Sequence, residues 1–275
     1  MAVPAHAPLW ERVWYYALRV FCVLVFVFLV APVFVIWPMS FSSAQFLEFP
    51  PPGLSLQWYD EYFHDVDWLS ATRSSFMVAL AATVCATVLG TVASMGIVRG
   101  RFRGKNLLMA FLISPMVIPL IITATGLYFM YSQLGWVESF HGMVIAHTVL
   151  ATPFVVVVVS ATLQGFDPTL ERAAASLGAS PVTTFFRVTF PVIAPGVVSG
   201  ALFAFITSFD EVVVALFLSG IEWRTIPVKM FEGIRYEINP TITAVATMVT
   251  LIAVFVLTTV ELLRRRSERL RGIRA

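Results

Sequence analysis

The sequence predicts an all-α integral membrane protein with six transmembrane helices and both termini in the cytoplasm. Three observations carry that prediction. Of 275 residues, 59% are hydrophobic and 12% charged, with a mean hydropathy of +0.86, whereas a soluble globular chain carries roughly 25% charged residues. Six segments reach the about 20 apolar residues that a bilayer-spanning helix needs, at 13–37, 76–98, 107–131, 142–163, 192–218 and 242–263. The basic residues also favour one side. Arg12 and Arg19 precede the apolar run 20–37; Arg99, Arg101, Arg103 and Lys105 separate the second and third segments; Arg172 and Arg187 separate the fourth and fifth. Arg264, Arg265, Arg266, Arg269, Arg271 and Arg274 follow the sixth, leaving Arg73, Arg224, Lys229 and Arg235 for the other face. Positive charge stays inside, so both ends are read as cytoplasmic. No internal repeat or linker marks a second domain, and 1–275 is read as one transmembrane domain.

The first segment is longer than a signal-peptide core and lacks a small-residue cleavage site, so it reads as a retained anchor. Residues 38–69 are external. Their "FPPPG" forces an extended path, and "WYDEYFHDVDWL" has an aromatic and an acidic face, suited to lying along the membrane surface. Ser70 is the expected cap of the second span. That span carries Ala82, Ala86, Gly90 and Ser94 at every fourth position, and the fifth carries Gly196, Gly200 and Ala204. Such ladders let helix backbones approach closely, inside one subunit or between two. Cys22 and Cys85 sit in apolar runs and read as buried small hydrophobes.

Pro115, Pro119 and Pro153 each remove a backbone hydrogen bond from a span and permit a kink. His147, inside the fourth span, and His141, at its outer end, read as packing histidines, with a gate or proton relay as the alternative. Trp58, Trp68, Trp136 and Trp223 fall near the outer interface as membrane-belt aromatics do. Asn239 followed by Pro240 reads as the capped start of the sixth span.

Between the fourth and fifth spans, "DPTLERAAASLGASPVTTFFRVTFPV" is too polar for lipid. Asp167 and Pro168 start a helix whose apolar face is Leu170, Ala173, Ala174 and Leu177, and Gly178 ends it. Ser180 and Pro181 start a second, which Pro191 closes before the fifth span. Two helices this short are unstable alone, so a docked partner protein is expected on the cytoplasmic loop 164–191.

Asp210 and Glu211 lie well inside the fifth span, about 27 Å along a helix rising about 1.5 Å per residue. A charged side chain in lipid costs about 2.5–3.5 kcal/mol on insertion scales. Two readings follow: a path favouring cations, or a structural pair with Arg73, with Arg224 or with a partner subunit. Adjacent helical residues point about 100° apart, so one of the two faces the path. "GRFRGKN", at 100–106, lacks the spacing and the Ser or Thr of a phosphate-binding loop. No metal cluster or nucleophile motif is found, and neither a bound cofactor nor a nucleic-acid partner is expected in this chain.

The loop resembles the coupling loop of permease subunits in bacterial type I ATP-binding-cassette (ABC) importers, E-A-A-x-x-x-G, nine residues, then I-x-L-P. Here stand Ala173-Ala174, Gly178 and, after nine residues, Val188-Thr189-Phe190-Pro191. Aligned on Gly178, Arg172 holds the family's Glu position and Glu171 lies one place earlier, so any salt bridge of that Glu to the ATPase is rerouted or absent. "GALFAFITSFDEVVVALFLSG" is similar to the spermidine/putrescine subclass. The resemblance implies the type I permease fold, a place in the bacterial inner membrane, and a second permease, a different chain. It implies two ATPase subunits that bind the ATP and Mg, and an external solute-binding protein. It makes Glu171, Arg172, Ala173, Ala174, Leu177, Gly178 and Pro191 the ATPase-coupling set. Ser208, Asp210 and Glu211 become the path residues, for a polyamine or another amine such as an opine or amino acid derivative. The rival, a stand-alone carrier or channel, needs its own coupling charges and repeats and leaves the cytoplasmic helix pair without a purpose.

Overall fold

The computed structural model describes residues 8–236 and 238–270, with side chains to residue 258 apart from Val256. Among these residues the only β pairing is an isolated bridge between Ser42 and Leu54; everything else regular is helical. The chain forms two compact units, Asp65–Glu232 and Met1–His64 with Gly233–Ala275.

The larger unit is built on three helices, α3 (Val66–Arg99), α6 (Phe140–Gln164) and α9 (Phe190–Phe209). Their mutual packing follows from the small-residue ladders. A Cβ on Gly90 of α3 would stand 2.7 Å from Cβ of Val155, and one on Gly200 of α9 would stand 3.2 Å from the Val155 Cα. Both ladders thus close on the same stretch of α6, inside one subunit. Ser94 adds a hydroxyl that donates to Gly90 O (2.7 Å) and across to Val156 O (3.1 Å). In lipid, close contact and such bonds take the place of a hydrophobic drive.

Two expected spans are broken. The third divides into α4 (Lys105–Val117) and α5 (Leu120–Leu134), bent by 100° at Ile118 and Pro119. Pro119 has no N–H to continue the ladder, and its ring pushes Ile118 into extended backbone (ψ 131°). The fifth ends at Phe209; after Asp210–Val212 the chain resumes as α10 (Val213–Leu218). Four helical stretches have the length and hydropathy to cross a membrane, five if the α4–α5 pair counts as one. The sixth expected segment falls on α12 (Thr241–Leu270), whose apolar part among the described residues is Thr241–Phe255.

The second span starts earlier than expected. Asp65, not Ser70, caps α3, accepting the Trp68 N–H at 3.0 Å. The surface segment accordingly stops as α2 (Gln57–His64). Trp58 and Trp68 are buried rather than displayed as belt residues. Cys22 and Cys85 are exposed on this chain, contrary to their reading as buried hydrophobes; apolar runs that face lipid satisfy hydropathy equally well.

In the other unit, α1 (Leu9–Ser40) leaves nearly all its apolar side chains uncovered. Trp58 Nε1 donates to Ser42 O (2.8 Å). Asn239 caps α12 as expected: its Oδ1 accepts the N–H (2.8 Å) and hydroxyl (2.7 Å) of Thr241, and its Nδ2 donates to Glu61. The side chains of Arg264, Arg265, Arg266 and Arg269, and all of Arg271 and Arg274, lie outside the described residues.

Candidate translocation site and coupling surface

Both breaks open onto one cavity of about 430 Å³. Pro115, Ile118 and Leu120 bring one broken span to its wall, Thr207, Asp210 and Glu211 the other, and Leu150 and Phe154 of α6 complete it. Interrupted backbone at membrane depth is tolerated where it lines a cavity, and broken helices mark solute sites in transporters. Apart from the Thr207 hydroxyl the rest of the wall is apolar, so the carboxylates dominate its chemistry.

The two carboxylates have different tasks. Asp210 is the C-cap residue of α9 and is exposed. Glu211 is 7% exposed, and its oxygens accept the N–H groups of Val214 and Ala215, each at 2.8 Å. Glu211 therefore seats the first turn of α10, where amides have no partner within the helix. Neither carboxylate pairs with Arg224, which is bonded to Glu232 at 3.2 Å. Ser208 does not line the cavity; it is 4% exposed and meets His147 Nδ1 through Oγ at 2.8 Å.

At the other end of the bundle, the polar loop forms α7 (Thr169–Ser176) and α8 (Pro181–Thr184). Asp167 accepts the N–H (2.9 Å) and the hydroxyl (2.6 Å) of Thr169. These bonds, the hydroxyl first, hold its carboxyl below the usual carboxylate range. Gly178 takes φ +83°, and its N–H and that of Ala179 return to the Ala175 and Ala174 carbonyls, closing α7. The expected apolar face is present but uncovered by this chain: Leu177 is 89% exposed, and Leu170 and Ala173 are exposed with it. Pro191 does not close the second helix. Pro181–Phe209 runs on as one helix, with a π-helical turn at Phe185–Thr189 just before Pro191, which has no N–H to give the ladder. Arg172 is exposed. Glu171 instead meets Arg99, the last residue of α3, at 2.6 Å, and accepts the hydroxyl of Thr189.

Residues 86–270 match the family model described as "Binding-protein-dependent transport system inner membrane component". The chain belongs to this family. It is a permease of an ABC importer, a transport subunit rather than a catalyst. It is 36% identical over 232 residues to the putrescine transport system permease protein PotI of Escherichia coli strain K12, covering 82% of each chain. It is 29% identical over 247 residues to the spermidine/putrescine transport system permease protein PotC of Haemophilus influenzae, covering 90% of this chain and 96% of that one. Among solved structures it resembles a chain of a bacterial ABC transporter involved in import of the acidic polysaccharide alginate. The TM-score is 0.75 at 16% identity, over 93% of this chain and 98% of that one. An amino acid ABC transporter chain matches at TM-score 0.56 and 18% identity, over 76% and 95%.

Arg99 of the permease escaped sequence reasoning, because 72 positions separate it from Glu171 and no spacing rule joins a span's last residue to a later loop. The tie of His147 to the α9–α10 break was equally hidden. Its one signal was a polar ring in an apolar span.

Proposed function

We propose that this permease forms half of the translocation path for a small amine, a polyamine first, driven by ATP hydrolysis on partner subunits. The carrying observation is Asp210, an exposed carboxylate where α9 ends, on a mostly apolar cavity whose second carboxylate, Glu211, is buried against α10. An ammonium group with a methylene chain matches that lining. The 36% identity to a putrescine permease supports the same substrate class.

Two ATPase subunits hold ATP and Mg, one beneath each permease, and one of them docks on the uncovered α7–α8 face of this chain, where Leu170, Leu177 and Val182 are exposed, with Phe186 of the following turn. A second, different permease completes the path, and an external binding protein delivers solute. Arg99 and Glu171 put the α3–α4 and α6–α9 loops at one end of the bundle, in keeping with a cytoplasmic face rich in Arg and Lys. In this reading the chain lies in the bacterial inner membrane with both termini inside.

The test is uptake by the transporter purified through this chain and reconstituted in proteoliposomes. ATP-dependent entry of labelled putrescine or spermidine, with KM raised by Asp210→Asn, is the expected result. Solute entry without ATP, or an unaltered KM in the variant, overturns the reading.

A further inference from the structure

Between residues 164 and 191 the acids are Asp167 and Glu171 and the bases Arg172 and Arg187, and the fold treats the two signs differently. Both acids are engaged within the chain. Asp167 accepts the Thr169 N–H through one oxygen (2.9 Å) and the Thr169 hydroxyl through the other (2.6 Å). Glu171 holds Arg99 and the Thr189 hydroxyl. Arg172 and Arg187 are exposed, and no hydrogen bond or ion pair among the described residues engages either guanidinium. Arg172 is the weakest of the influences on the Asp167 carboxyl.

Helical positions turn about 100° apart. Glu171 and Ala174, the two half-buried residues of α7, mark its packed side, against the ends of α3 and α9. Arg172 and Ser176 therefore point away from the bundle, flanked by Ala173 and Leu177. In the orientation proposed above, that side faces the cytoplasm rather than lipid. The same loop leaves Leu177, Val182 and Phe186 uncovered. A partner that closes on this surface takes water from the arginine, which is unfavourable unless the partner brings a counter-charge. The acids of the loop, already engaged, do not supply one.

We propose that the ATPase groove seated on α7 carries a carboxylate opposite Arg172, and that this charge pair selects the ATPase the permease accepts. The inference rests on the docking reading above and adds the chemistry of the partner's side. Matching of this kind rejects wrong partners through like-charge contact more than it adds affinity.

The test uses the intact transporter purified through this chain, carrying Arg172→Lys, Arg172→Glu or Leu177→Ser. A carbodiimide joins an amine directly to a carboxylate, so Arg172→Lys should give an ATPase cross-link at position 172 that wild type lacks. Arg172→Glu should lower the ATPase retained about tenfold, while Arg172→Lys stays within about twofold of wild type. Glutamate forms helix about as well as arginine, so loss of α7 does not explain such a release. Leu177→Ser should release the ATPase as well, through lost apolar contact. Full retention in Arg172→Glu overturns the proposal, whether or not a cross-link forms. If Leu177→Ser still releases the ATPase, the docking reading stands; if that variant also retains it, the docking reading falls too. Full retention together with uptake that follows the anionic lipid content of the proteoliposomes assigns Arg172 to lipid headgroups instead.

Discussion

Arg99 Nη2 lies 2.6 Å from Glu171 Oε1, joining the last residue of α3 to the first turn of α7. The Thr189 hydroxyl donates to the same oxygen, and the Arg99 guanidinium also lies 5.5 Å from the Phe166 ring centroid. Three parts of the chain thus meet on one carboxylate: the end of a packed span, the cytoplasmic-loop helix α7 proposed to couple to the ATPase, and the turn that enters α9. Under the proposed coupling role, movement imposed on α7 is expected to reach α3 and α9 together. Since Glu171 is committed within the chain, Arg172 is the charge this helix leaves open at its surface.

Removing the Glu171 charge should loosen transmission without unfolding the bundle. In Glu171→Gln we expect ATP hydrolysis to continue while uptake per ATP falls several-fold. The pair is partly exposed, so a double-mutant cycle with Arg99→Gln should give a coupling energy of about 1 kcal/mol. Additive effects of the two substitutions would show that the contact carries nothing.

Gly178 tests the shape of the same loop. A Cβ there would meet no atom within 4 Å, so space does not restrict the position; φ +83° does. Gly178→Val should reorient α8 and separate hydrolysis from uptake, while Gly178→Asn, which tolerates left-handed backbone, retains most coupling. Equal loss in both, measured as uptake per ATP, would point to a contact with the ATPase instead.

The helical segments, the capping of α12 and the two ladders were legible because each is a local rule: apolar length, a side-chain acceptor two residues before an amide, a small residue every fourth place. The breaks were not. Hydropathy runs unchanged through Ile118–Pro119, and Asp210–Glu211 interrupts it only with two charges that a lipid-facing reading assigns to one continuous helix. What ends α9 there is a carboxylate bonding forward to Val214 and Ala215, an arrangement that only the folded chain displays. Asp210 and Glu211 were legible as candidate path residues by type and as pointing apart; which of them is buried was not.

That separation predicts two unlike variants. Asp210→Asn removes an exposed charge and should raise KM for cationic solutes about tenfold or less while sparing neutral ones, with normal amounts in the membrane. Glu211→Gln leaves one amide of α10 facing an NH₂ group in place of an oxygen, which costs about 1–3 kcal/mol. Its expected signature is lower thermal stability and a lower yield of assembled transporter. Identical phenotypes in uptake and melting assays would reject the division of roles.

The ladders make the last prediction, because they separate space from helix propensity. Glycine inside a helix is less favourable than alanine by about 1 kcal/mol, so an uncrowded Gly→Ala change should stabilise. Gly126 of α5 is such a site, with nothing within 4 Å of the added Cβ. At Gly196 of α9 the added Cβ would stand 2.1 Å from Thr162 Oγ1 and 2.7 Å from Thr162 Cβ. Thr162 is β-branched and its hydroxyl is bonded to Val158 O (2.9 Å), so rotation about χ1 does not clear the contact and α9 must move away from α6. Overpacking of this kind costs about 1–3 kcal/mol, more than the propensity gain. Gly196→Ala should therefore lower the melting temperature of the detergent-purified complex and Gly126→Ala should leave it equal or higher. The same ordering in both variants would mean that α6 and α9 are not held at the distance that the ladder sets.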